Sequence, residues 1–156
     1  MRLLLALTFL CVTPLVAVGC DVEAGLVYEV TEQDARNAVN EFYADVQSQN
    51  WSDIRSRLSG DVFSEAEKEK MISDFEALYA AIGRPISFTI DEIRSSKQDV
   101  GGKQRDAFGV SVTAQYDGGQ VPENVSMFVN DQGRLEIAGY KADPGELLAK
   151  KQESSD

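Results

Sequence analysis

From Ala35 onward, apolar side chains recur every three or four positions. Ala35, Ala38, Val39, Phe42, Tyr43 and Val46 fall on one stripe, the spacing of an amphipathic helix. Thr31 ahead of them offers a capping hydroxyl, and Glu32 and Asp34 place acids at the positive end of the helix dipole. The pattern predicts a helix over about 32–48, broken at Gln49-Asn50. Trp51-Ser52-Asp53 starts a short second helix that carries Ile54 and Leu58 and closes at Gly60. Ser64-Glu65-Ala66-Glu67 has the form of a capping box, in which the serine takes the N3 amide and the glutamate reaches back. A third helix follows, with Met71, Ile72, Phe75, Leu78, Tyr79 and Ile82 on one stripe; Gly83 and Pro85 end it.

After Pro85 the period changes from 3.6 to 2. Ile86, Phe88 and Ile90 alternate with Ser87, Thr89 and Asp91 in a first strand, and Ser96–Lys103, with Gly101-Gly102, reads as a loop. Phe108, Val110, Val112, Ala114 and Tyr116 mark a second strand, and Asp117-Gly118-Gly119 a hairpin turn. Val125, Met127 and Val129 mark a third strand, with Pro122 near its start, where a missing amide is tolerable. Asn130-Asp131-Gln132-Gly133 turns the chain into a fourth strand with Leu135, Ile137 and Tyr140, and 143–156 is a charged C-terminal tail. Short turns between successive strands demand antiparallel pairing. One apolar sheet face must then be covered, and the helices are its cover. The expected class is α+β: N-terminal helices packed on a curved four-stranded antiparallel sheet.

Composition narrows the function classes. The chain of 156 residues has 26 acidic and 15 basic side chains, a net charge of −11 and no histidine. Phosphate backbones are bound by clustered Lys and Arg, so nucleic acid is an unsuitable partner. Without imidazole there is no Ser-His-Asp or Cys-His nucleophile system and no histidine metal site. No cofactor or metal site is expected. Glu65-Glu67-Glu69 and Asp91-Glu92 lack the spacing of a calcium loop, and Ser59, Ser64 and Ser111 stand in no G-x-S-x-G setting. Asp45, Asp74, Asp91 and Glu92 read as solvated acids on amphipathic elements, so no catalytic residue is assigned. Tyr43, Trp51, Tyr79 and Tyr116 are the candidate ligand-binding residues, Trp51 first among them, against the plainer reading of aromatics at regular spacing as core. Asn50-Trp51-Ser52 and Asn124-Val125-Ser126 fit the glycosylation sequon.

The N-terminus carries an address. One charge, Arg2, precedes an apolar stretch from Leu3 to Val18 that ends in small residues, the form of a secretory signal over 1–19. Pro14 interrupts the stretch, which is too short to span a bilayer. Val16-Ala17-Val18-Gly19-Cys20 resembles the lipobox of bacterial lipoproteins, although Ala17 stands where leucine is most usual. In that family the cysteine sulfur is diacylated, the preceding bond is cut and the new N-terminus is usually acylated. Cys11 leaves with the signal, so the mature chain keeps Cys20 as its one thiol, which lipidation would account for. The resemblance implies a palmitate-type anchor at Cys20, a tether over 20–30 and a domain over 31–142. The location is then the bacterial cell envelope, facing the periplasm or the exterior. Asp21 resembles the enteric inner-membrane retention signal, a rule that varies between bacterial groups, so inner and outer membranes both stay open. Loss of Arg2 with the signal moves the net charge from −11 to −12. Anionic headgroups repel such a domain, and acyl chains rather than surface charge must hold it.

Phe42-Tyr43, the helix end from Leu78 to Gly83 and the run from Phe108 to Tyr116 resemble the nuclear transport factor 2-like superfamily over roughly 31–142. Its members form a cone with a pocket at the mouth. Similarity is strongest to small bacterial lipoproteins of that superfamily without assigned activity. A departure is Asp61-Val62-Phe63, too short for the strand that many members carry there. Cystatin-like folds are the alternative. The resemblance implies a pocket for a small apolar ligand or a protein partner, and homodimers formed through the open sheet face. It also keeps a rival in view: an isomerase- or dehydratase-like enzyme using an acid or tyrosine in the cone, as in ketosteroid isomerase and scytalone dehydratase. The leading expectation is a non-catalytic, membrane-anchored binding module.

Overall fold

The computed structural model describes residues 29–153; the signal segment, Cys20 and nearly all of the tether lie outside these residues. Three helices come first, α1 (Glu32–Ser48), α2 (Trp51–Arg57) and α3 (Glu65–Ile82). Four strands follow, β1 (Ser87–Val100), β2 (Lys103–Tyr116), β3 (Gly119–Val129) and β4 (Leu135–Ala142), and then a last helix, α4 (Gly145–Glu153). The strands pair antiparallel in the order β1-β2-β3-β4. The class is α+β, as the change of period predicts.

Both long helices start on full capping boxes. Thr31 accepts the Asp34 amide while the Asp34 carboxylate takes the Thr31 amide at 2.8 Å. Ser64 and Glu67 repeat the arrangement for α3, with the return bond also 2.8 Å. Such caps satisfy donors that no helix can satisfy internally and are worth about 1 kcal/mol each. Gln49 ends α1 in the left-handed region at φ 57°. Arg57 ties α2 back to α1 through Asp45 and Glu41, each 2.8 Å away.

Ala35, Val39, Phe42, Tyr43 and Val46 of α1 and Ile72, Phe75, Tyr79 and Ile82 of α3 are buried against Phe108, Val110, Val112, Ala114 and Tyr116 of β2. Register shifts at Ile90/Glu92 in β1 and Ser126/Met127 on β3–β4 bend the sheet around this core. On β2, Arg105 is buried, packs over Phe128 at 5.4 Å and pairs with Asp61 at 2.8 Å. It thereby holds the α2–α3 connection to the sheet. Leu58 and Ser59 of that connection reach the edge of β4: Leu58 bridges Ile137, and the Ser59 amide donates to the Ile137 carbonyl at 2.9 Å.

Two elements differ from the sequence reading. Ser96–Lys103 is no loop: β1 continues to Val100, and Gly101 and Gly102, at φ 62° and 80°, make a two-residue turn directly into Lys103. Arg94 to Asp99 are exposed on both faces, so no alternation marks them. The charged C-terminal tail is in part the helix α4, which packs on α3 and β3 with Leu147 only 2% exposed. Gly118 leaves room for it, since a Cβ there would meet Leu147 Cδ1 at 2.6 Å.

Candidate functional site

In β3, Val121, Glu123, Val125 and Met127 are buried, while Pro122, Asn124 and Ser126 are exposed. Strand alternation therefore carries the Glu123 carboxylate inward with the apolar side chains. Its residue exposure is 1%. A buried carboxylate needs donors or a counter-charge. Among the described residues no Lys or Arg pairs with Glu123; three tyrosine hydroxyls serve it instead. Tyr116 of β2 donates to Oε1 at 2.6 Å, Tyr140 of β4 donates to Oε2 at 2.7 Å, and Tyr43 of α1 also donates to Oε2. A fourth hydroxyl, Tyr79 of α3, lies 3.3 Å from that of Tyr140. Two helices and three strands each contribute one member of this cluster.

The rings around it are packed in contact. Tyr43 stacks on Phe88 at 4.3 Å, Phe42 meets Tyr43 edge-on at 5.3 Å, and Phe75 meets Tyr140 at 4.8 Å with the planes 63° apart. Burial pushes all four tyrosine hydroxyls above their ordinary value of 10, and the Glu123 charge adds to the shift. They are therefore neutral donors at physiological pH, and giving up a proton is the reaction they are least suited to.

Of the four residues singled out from sequence, Tyr43, Tyr79 and Tyr116 meet in this cluster, but as core: Tyr43 and Tyr116 are fully buried and their hydroxyls are taken by Glu123. Trp51 stands apart. It stacks on Tyr79 at 6.2 Å and lines an open groove of about 490 Å³ between α2 and α3, with Arg55, Glu65, Lys68 and Glu69. Glu65 and Glu69 both pair with Arg55 there, at 2.8 and 2.9 Å, and Glu67 serves its cap. Asp91 accepts the Thr113 hydroxyl at 2.7 Å, and Glu92 pairs with Arg94. Glu123 and Tyr140 complete the site and were not among the candidates. The signal for Glu123 is present in the sequence: an acid in phase with Val121, Val125 and Met127.

A second groove, of about 320 Å³, lies between α3 and β4. Met71, Phe75, Leu78, Tyr140, Ala142 and Pro144 make it apolar, and Asp74 is its one charged residue. Tyr140 joins the two features, since its ring lines this groove and its hydroxyl bonds Glu123. Neither groove is lined by Glu123, Tyr43 or Tyr116. Among the described residues no helix is long and apolar enough to cross a membrane.

No family model and no curated protein matches the chain. Among solved structures it is similar to one described as from Catenulispora Acidiphila, at 11% identity and a TM-score of 0.44, over 72% of this chain and 89% of that one.

Proposed function

We propose that the chain is a lipid-anchored bacterial envelope protein of the nuclear transport factor 2-like superfamily, whose domain binds a small apolar ligand in the α3–β4 groove without chemistry. One observation carries the non-catalytic part. Among the described residues one acid, Glu123, is buried, and it spends its oxygens on tyrosine hydroxyls, which as neutral donors hold it in place rather than expose it to a substrate. The apolar walls of the groove carry the binding part, and Cys20 with its lipobox-like neighbours carries the anchor. Diacylation anchors far more firmly than one chain does, since each buried CH₂ adds about 0.8 kcal/mol.

Two measurements test this reading. Cys20→Ser should move the protein from the membrane to the soluble fraction of a bacterial host; retention without acyl mass on the Cys20 peptide overturns the anchor. An apolar fluorophore should bind the wild-type domain saturably and the half-buried Leu78→Asp variant weakly. Absence of saturable binding overturns the groove, and capture of a protein that Leu78→Asp also releases would assign the groove to a protein partner.

A second reading draws on Tyr140, which links the groove to Glu123 and so connects an acid to a place where a substrate could lie. It is the isomerase- or dehydratase-like enzyme. Turnover that disappears in Glu123→Gln would establish it.

A further inference from the structure

Resting on the groove reading above, we infer that the ligand of the α3–β4 groove is an organic cation, an apolar body bearing an ammonium group. Two aromatic rings line the groove, Phe75 and Tyr140, their centroids 4.8 Å apart and their planes 63° apart. Aromatic π-systems attract cations, most strongly where water is excluded. Tyr140 is tuned for this task. Its hydroxyl donates at 2.7 Å to the Glu123 carboxylate, which feeds electron density into the ring. Glu123 itself is a buried acid without a cationic partner among the described residues, and one ring, that of Tyr140, stands between its carboxylate and the groove. At the rim stands Asp74. Its present partner is Lys70, at 2.6 Å, but both side chains are mostly exposed, and such pairs are weak enough to exchange. No Lys or Arg lines the groove, so its walls offer an anionic ligand no counter-charge. Apolar walls select the body, and rings backed by two acids select the charge.

The test compares two probes of nearly the same shape, 4-phenylbutylamine and 4-phenylbutan-1-ol, by calorimetry on the full domain. The amine should bind about tenfold tighter, the factor by which a charged contact exceeds a neutral one. Its advantage should shrink with added salt and in both Asp74→Asn and Glu123→Gln, while the alcohol is unaffected. Equal affinity for the two probes overturns the inference and leaves an apolar groove standing. If neither probe binds, the groove reading itself fails. Asp74 is exposed and outside the core, so Asp74→Asn keeps the test decisive if Glu123→Gln does not fold.

Discussion

The three donors of Glu123 are not equivalent, and removing them one at a time has an ordered outcome. Oε1 accepts from Tyr116 alone, while Oε2 accepts from both Tyr43 and Tyr140. Tyr116→Phe therefore leaves one carboxylate oxygen bare in a place that water does not reach, since Tyr116 is fully buried. A hydrogen bond to a charged group is worth about 1.5–3 kcal/mol, and stranding a buried acceptor costs in the same range. Tyr116→Phe should cost about 2–3 kcal/mol. Tyr140→Phe leaves Oε2 with Tyr43, and Tyr140 is only half-buried, so water from the groove can replace its hydroxyl. Its cost should be about 1 kcal/mol. Urea denaturation followed by tryptophan fluorescence, with the slope unchanged between variants, measures both. In a melt, each kcal/mol appears as roughly 3–6 °C in a domain of this size. Equal costs, or Tyr140→Phe the costlier, would show that the carboxylate is not held as its geometry indicates.

The same cluster makes the fold sensitive to base. The folded-state values of the four hydroxyls lie above the ordinary 10, so the unfolded chain releases protons that the folded chain keeps. Their contribution is complete below pH 10 and lost progressively above it. Tyrosinate absorbance of these four should therefore rise together with the loss of circular dichroism; titration with the fold intact would contradict the assigned burial. At the other end of the chain, Leu147→Ala removes about 2–3 kcal/mol of docking from α4. Because α4 is the last described element and lies outside the sheet, packed on α3 and β3, the loss should appear as local opening, with amide exchange in Gly145–Glu153 faster by roughly thirtyfold or more. Unchanged exchange would mean that something other than Leu147 holds the helix.

The helices were legible because several signals coincided on them. Thr31 and Ser64 are capping residues immediately before a stripe of period 3.6, and both boxes are found closed. Helix bounds follow from that agreement between cap, charge and stripe. Strands β2 and β3 were legible only where one face is buried. Beyond Ile93, β1 has no buried face to write an alternation, so backbone pairing, with the cross-strand ion pair Lys97–Asp106, carries it to Val100. Helix α4 has just Leu147 and Leu148 among charged residues, too few for a period to show. The centre of the site was obscured for another reason. Glu123, next to Pro122, lies ahead of the Val125, Met127 and Val129 alternation that marks the strand, although its phase puts it inside. Tyr43, Tyr79 and Tyr116 were visible as aromatics, but only tertiary structure could aim their hydroxyls at one carboxylate.

The two margins of the sheet are finished differently. At β4, the Leu58–Ser59 segment occupies the middle of the strand's free side. Among the described residues, the outer side of β1 carries no such cover along its 14 residues. Edge-to-edge growth requires two open sides on each unit, one to receive and one to offer. This molecule has one. Through the described edges, strand pairing between copies ends at a closed pair and does not extend into a fibre.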